Sequence, residues 1–149
     1  MNIMAKITKK QRAELREMFG GKCAYCGNNL PEHGWHADHI EPVIRILESV
    51  RLPPGTGFTH KLITTGEMHR PELDSIENLY PSCAPCNIFK ASMSLEGFRS
   101  EISHQMERLK GKSVNYRTAF RFGQVIETPT PVVFWFEKFN CGANHEIKS

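Results

Sequence analysis

Six residues of this 149-residue chain have types and spacings that bear chemistry: Cys23 and Cys26 in "CAYC", Cys83 and Cys86 in "CAPC", and Asp38 and His39 side by side in "WHADHIEP". Two C-x-x-C knuckles brought together offer four thiolates, the donor set of a closed structural zinc site. Disulfides are the poorer explanation in a reducing cytoplasm. A redox C-x-x-C occurs once, beside a βαβ pattern that this sequence lacks. Between Cys26 and Cys83 lie 56 residues, far more than the 15 to 20 of a compact zinc ribbon, so the clasp must enclose something larger. It would bring "WHADHIEP", after the first knuckle, beside "NIFKAS", after the second.

Of the dyad, Asp38 offers hard carboxylate oxygens suited to Mg²⁺ or Mn²⁺, and His39 an imidazole, the usual general base for activating water. Neighbours in a regular strand point to opposite faces, so joint action on one substrate requires a bend or bulge, for which Pro42 makes room. Alone, the dyad would read as incidental polar residues at a strand end. His36, two residues earlier, shares a strand face with Asp38 and reads as a surface histidine, and His33, His60, His69, His104 and His145 have no partner pattern. The fifth cysteine, Cys141, stands unpaired.

The elements that must position these residues are partly legible. "TKKQRAELREMFGG" predicts a helix with Thr8 and Gln11 as a capping box and Gly20 and Gly21 as its stop. "WHADHIE" predicts a strand, "VIRILESVRL" a helical turn or two, and the Gly- and Pro-rich stretch from Pro53 to Pro71 a loop or small ribbon. "CNIFKASM" reads as a short helix, and Ser94 as the cap of another in "LEGFRSEISHQMERLKG", with an apolar stripe for core packing. The aromatic and β-branched tail, "YRTAFRFGQVIE" to "PVVFWFEKF", predicts a hairpin. Its Phe134, Trp135 and Phe136 suit a sheet packed on a helix better than stacking on bases. The expectation is one α+β domain over 1–149.

Apolar and charged contents of 40% and 23% are ordinary for a soluble fold, and no run is long enough for a membrane span or a secretory signal, so a cytoplasmic protein is expected. Nineteen Lys and Arg against 16 Asp and Glu give a net charge of +3, which favours a polyanionic partner without demanding one.

The order "CAYC", "ADHIEP", "ENL", "CAPCN", with a lysine three residues after that asparagine, resembles the HNH endonucleases, the ββα-metal nucleases, in their zinc-clasped form. The likeness covers about residues 20–100, and "HRPELDSIENLYPSCAPCNIFKASMSLEGFR" is similar to small HNH proteins of bacteriophages and prophages. The resemblance implies a ββα-metal core in which His39 is the general base, Asp38 and Asn87 are ligands of a catalytic Mg²⁺ or Mn²⁺, and Asn78 holds the loop and the histidine. It implies that Lys90 faces the nucleic-acid backbone, that Cys23, Cys26, Cys83 and Cys86 hold structural zinc, and that DNA is the substrate, cut to a 5′-phosphate and a 3′-hydroxyl. Asn87 stands where the family's final histidine would be, which leaves one charged ligand and a weakly held metal. Residues 43–76 are an insertion that could shape DNA selection. The alternatives are a zinc-stabilised nucleic-acid-binding module, or a partner-interaction domain serving phage packaging, without independent catalysis.

Overall fold

A computed structural model describes residues 7–143, among which the chain is mixed α+β, with six α-helices and two separate two-stranded antiparallel sheets. His145 lies outside the described residues. No helix among them is long and apolar enough to cross a membrane.

Helix α1 (Lys9–Glu17) begins as its sequence dictates: Thr8 Oγ1 accepts from the Gln11 amide, and the Gln11 side chain accepts from the Thr8 amide. It buries Leu15, and beyond its end Phe19 is buried too. Arg12 and Arg16 donate to the carbonyls of Trp35 and Leu30, which pins the segment after the first knuckle along the helix.

Strand β1 (His36–His39) pairs with the distant β4 (Leu79–Ser82), and β4 runs through the second knuckle into α2 (Ala84–Lys90). Two antiparallel strands and a helix thus form one unit, with β2 (Ile44–Arg51) and β3 (His60–His69) inserted between its strands. Two short 3₁₀ turns, Pro71–Leu73 and Ile76–Asn78, return the chain from β3 to β4. The core centres on Leu15, Tyr25, Trp35, Leu79, Phe98 and Phe134.

Three expectations are corrected. "VIRILESVRL" is strand β2, not a helical turn. Ile44, Leu47 and Val50 recur every three residues and so imitate a helical stripe, but the bulge between Arg45 and Leu47 interrupts the strand's alternation and Leu47 and Val50 lie on opposite faces. Residues 95–112 form two helices, α3 (Leu95–Ser103) and α4 (Gln105–Lys112), separated at His104, whose ring donates back to the Ser100 carbonyl. The C-terminal hairpin is absent among the described residues. Instead α5 (Val114–Arg121), capped by Ser113, is followed by an extended crossing and α6 (Trp135–Ala143).

The reason lies in what the tail packs against. The amides of Trp135 and Phe136 donate to the carbonyls of Tyr25 and Ala24, while the Glu137 carboxylate caps the Phe134 amide. Phe134 is buried between Tyr25 and Phe98. Arg99 ties α3 to this junction through Glu137 and the Val132 carbonyl. Capping and aromatic burial outweigh the segment's β propensity. The aromatic run therefore serves the core and the knuckle.

Candidate active site and metal centre

The four cysteine sulfurs converge, all lying within 4.8 Å of one another, although their knuckles are far apart in sequence. The Cys26 and Cys83 sulfurs are 3.8 Å apart. A tetrahedron with metal–sulfur bonds of about 2.3 Å has edges of about 3.8 Å, so this spacing fits a zinc ion and is far too long for a disulfide. The Cys86 thiol, helped by backbone amides, donates to Cys23 and lowers its pKa to about 4 against the opposing effect of burial. Cys86, the donor, is pushed up, and burial pushes Cys26 up to about 11. Four thiols converging at this spacing can take a metal ion, consistent with structural zinc.

β1 reaches the dyad without a bulge: its four residues pair in unbroken register with β4. Asp38 and His39 consequently project to different surroundings, although both border a recess of about 220 Å³. Asp38 is 7% exposed. Its Oδ2 accepts from the Tyr25 hydroxyl at 2.5 Å and stands 3.2 Å from the Lys90 ammonium. Burial and the adjacent carboxylate push the Tyr25 hydroxyl pKa far up, so it remains a donor.

Lys90 is fully buried, and its ammonium donates to the His39 carbonyl at 2.7 Å. This corrects the expectation that it faces a nucleic-acid backbone. The lysine instead ties α2 to the end of β1, neutralising Asp38 and fixing the backbone of His39.

On the other side of β1, His39 Nε2 donates to Asp74 Oδ1 at 2.8 Å, with the two side chains 15% and 6% exposed. Asp74 follows the turn Pro71–Leu73, and nothing in its spacing marks it in the sequence. With Nε2 the donor, Nδ1 carries the lone pair, which gives the ring a defined orientation and tautomer.

Asn78 is the clamp of the intervening loop. Its carboxamide donates to the carbonyls of Glu41 and Leu73 and accepts from the Glu41 amide, binding the chain after His39 to the chain before β4. Asn87 lies one turn before Lys90 on the short helix that packs on β1. Its carboxamide is half-buried and has no hydrogen-bond partner among the described residues.

A carboxylate and an amide oxygen are hard donors of the kind Mg²⁺ accepts alongside water and phosphate oxygens. Tyr25 and Lys90 hold Asp38 by Oδ2, and Oδ1 remains as a donor, an arrangement in which outer partners orient a ligating carboxylate. The lysine's charge weakens that carboxylate's attraction for a cation.

The buried pair predicts a large and reversible effect on stability. Lys90→Met leaves the Asp38 charge buried with Tyr25 alone and is expected to destabilise the fold by about 3–5 kcal/mol in denaturant unfolding. Adding Asp38→Asn to that variant should recover most of the loss. A double variant no more stable than the single one would show that Lys90 acts through packing, not charge.

No protein-family model, curated protein or solved structure matches this chain.

Proposed function

We propose that this chain is a metal-dependent endonuclease of the ββα-metal type that hydrolyses DNA phosphodiester bonds. The observation that carries this reading is His39, held at the end of β1 by a buried carboxylate on Nε2 and by Lys90 on its backbone carbonyl. A ring oriented through one nitrogen on a fixed backbone, with its second nitrogen left as a base, is the arrangement that proton abstraction from water requires.

In this reading Nδ1 of His39 removes a proton from water, and the resulting hydroxide attacks phosphorus opposite the leaving 3′-oxygen. The P–O bond breaks with its electron pair on that oxygen, which takes up a proton from solvent water, leaving a 5′-phosphate and a 3′-hydroxyl. Asp74 stabilises the imidazolium that forms and prevents the ring from turning. Asn78 keeps the loop from shifting the strand end, and Tyr25 and Lys90 fix Asp38. A Mg²⁺ or Mn²⁺ ion would be held by Asp38 and Asn87 and would supply positive charge to the scissile phosphate. The cysteine cluster would hold zinc apart from the chemistry.

The test is nicking of supercoiled plasmid by zinc-loaded protein with Mg²⁺, Mn²⁺ or no added metal, run beside Asp74→Asn. The asparagine can hold the ring in the wrong tautomer, so the rate should fall on the order of 10²-fold or more, with zinc content and Tm preserved. A wild-type protein inactive on every DNA form would sink the nuclease reading. An Asp74→Asn variant as fast as wild type would sink the role given to the carboxylate.

A further inference from the structure

Among the described residues the β2–β3 ribbon packs chiefly on itself. Its two strands make their dense contacts with each other, and no residue of either is fully buried. A lone two-stranded ribbon is marginally stable in water, and roughly 27 Å of exposed strand is a costly structure to leave without a partner.

Cross-strand register assigns its faces. Leu47 lies opposite Thr64, Ser49 opposite Leu62 and Arg51 opposite His60, so these six side chains share one face. Glu48 pairs with Ile63 and Val50 with Lys61 on the other face. The first face carries no carboxylate. It alternates hydrogen-bonding groups (Ser49, Arg51, His60, Thr64) with two leucines, whose apolar patch is small for a stable protein interface.

The charge balance points the same way. From 43 to 70 the chain carries Arg45, Arg51, Lys61 and Arg70 against Glu48 and Glu67, which accounts for much of the whole chain's +3. Arg45, Arg51 and Lys61 form no ion pair among the described residues, although carboxylates lie on the same ribbon. At the ribbon's root, Arg45 borders the recess that Asp38 and His39 border, so a phosphate backbone at His39 would also meet the ribbon.

We propose that this ribbon is a duplex-reading arm, whose Ser49–Arg51–Thr64 face enters the major groove of the DNA presented to His39. The inference rests on the nuclease reading and adds to it the substrate form and the element that recognises it. Two strands about 4.8 Å apart fit a groove about 12 Å wide. Arginine suits the guanine edge, hydroxyls suit several bases, and leucine suits the thymine methyl. The bulge after Arg45 adds local twist to the ribbon where it leaves the site.

The test measures binding of a labelled 30-base-pair duplex to full-length, zinc-loaded protein without Mg²⁺ or Mn²⁺, so that cleavage does not intervene. Ser49→Asp and Arg51→Ala alter the proposed reading face, and Val50→Asp places the same new charge on the opposite face. All three positions are exposed, so Tm and zinc content should not change. Ser49→Asp and Arg51→Ala are expected to weaken duplex binding about tenfold or more, Val50→Asp several-fold less, and single-stranded competitor should displace the duplex poorly.

Equal effects of Ser49→Asp and Val50→Asp, or no effect of either, would overturn the arm. So would single strands that compete as well as duplex, or a Ser49→Asp that changes only self-association by sedimentation. Wild-type nicking combined with unaltered duplex binding in all three variants overturns the arm and leaves the nuclease reading standing. Face-specific loss of binding without nicking supports the arm and overturns the nuclease.

Discussion

His39→Ala is expected to abolish metal-dependent nicking, lowering the rate on the order of 10²–10⁴-fold, the range a positioned general base supplies. The side chain is half-buried against Asp74, while the fold around it is held through His39's backbone carbonyl by Lys90 and through β1–β4 pairing. Alanine keeps those backbone contacts, so Tm and zinc content should change little, and loss of activity would report chemistry, not unfolding. Asp74→Asn combined with His39→Ala should be no slower than His39→Ala alone, because the carboxylate acts only through the ring. An alanine variant that nicks at the wild-type rate would assign the proton transfer elsewhere. Full activity of wild type without added Mg²⁺ or Mn²⁺ would remove the divalent ion from the proposal.

Removing zinc is expected to unfold the protein. The clasp joins 23–26 to 83–86 at the centre of the molecule: Cys23 is fully buried, Tyr25 between the first pair is a core residue, and the tail anchors to Ala24 and Tyr25. Structural zinc contributes about 10–16 kcal/mol in small domains, comparable to or larger than the whole stability of a typical one, about 5–15 kcal/mol. A strong chelator under reducing conditions, or Cys86→Ser, should therefore eliminate the near-ultraviolet dichroism of Trp35 and Tyr25 together with the cooperative melting transition. Zinc-bound sulfurs carry no proton whereas the unfolded chain's thiols do, so the stability due to zinc should fall as pH falls below the ordinary thiol range. Unchanged melting of a verified zinc-free protein would show that the aromatic core suffices and the cluster is dispensable.

What could be read from the chain followed from short-range chemistry. Thr8 and Gln11 specify a helix start by local hydrogen bonds, and each C-x-x-C spacing brings two thiols to a cluster that could hold a metal ion. Each needs only a few neighbouring residues, so its signal survives in one dimension. The strand of "WHADHIE" was legible from its breakers, whereas "VIRILESVRL" was not. Its apolar residues fall on a three-residue spacing that spans both faces of the strand and a one-residue bulge, and only pairing with β3 reveals which period applies. The aromatic tail failed as a hairpin for a related reason. Its partners are Tyr25, Ala24 and Phe98, and burial against distant residues outweighs local β preference.

The candidate site divides along the same line. By itself the sequence determined that four cysteines occur as two C-x-x-C pairs, with an Asp-His dyad and Asn78 between them and Asn87 directly after the second. Only tertiary structure decided that Lys90 turns inward to neutralise Asp38, and that Asp74, 35 positions away, orients His39. The physical reason is that a charge's role depends on what lies within a few ångströms and on how much water remains there. Neither quantity is written in the spacing of residues, because both are created when β1, β4 and α2 close around one another.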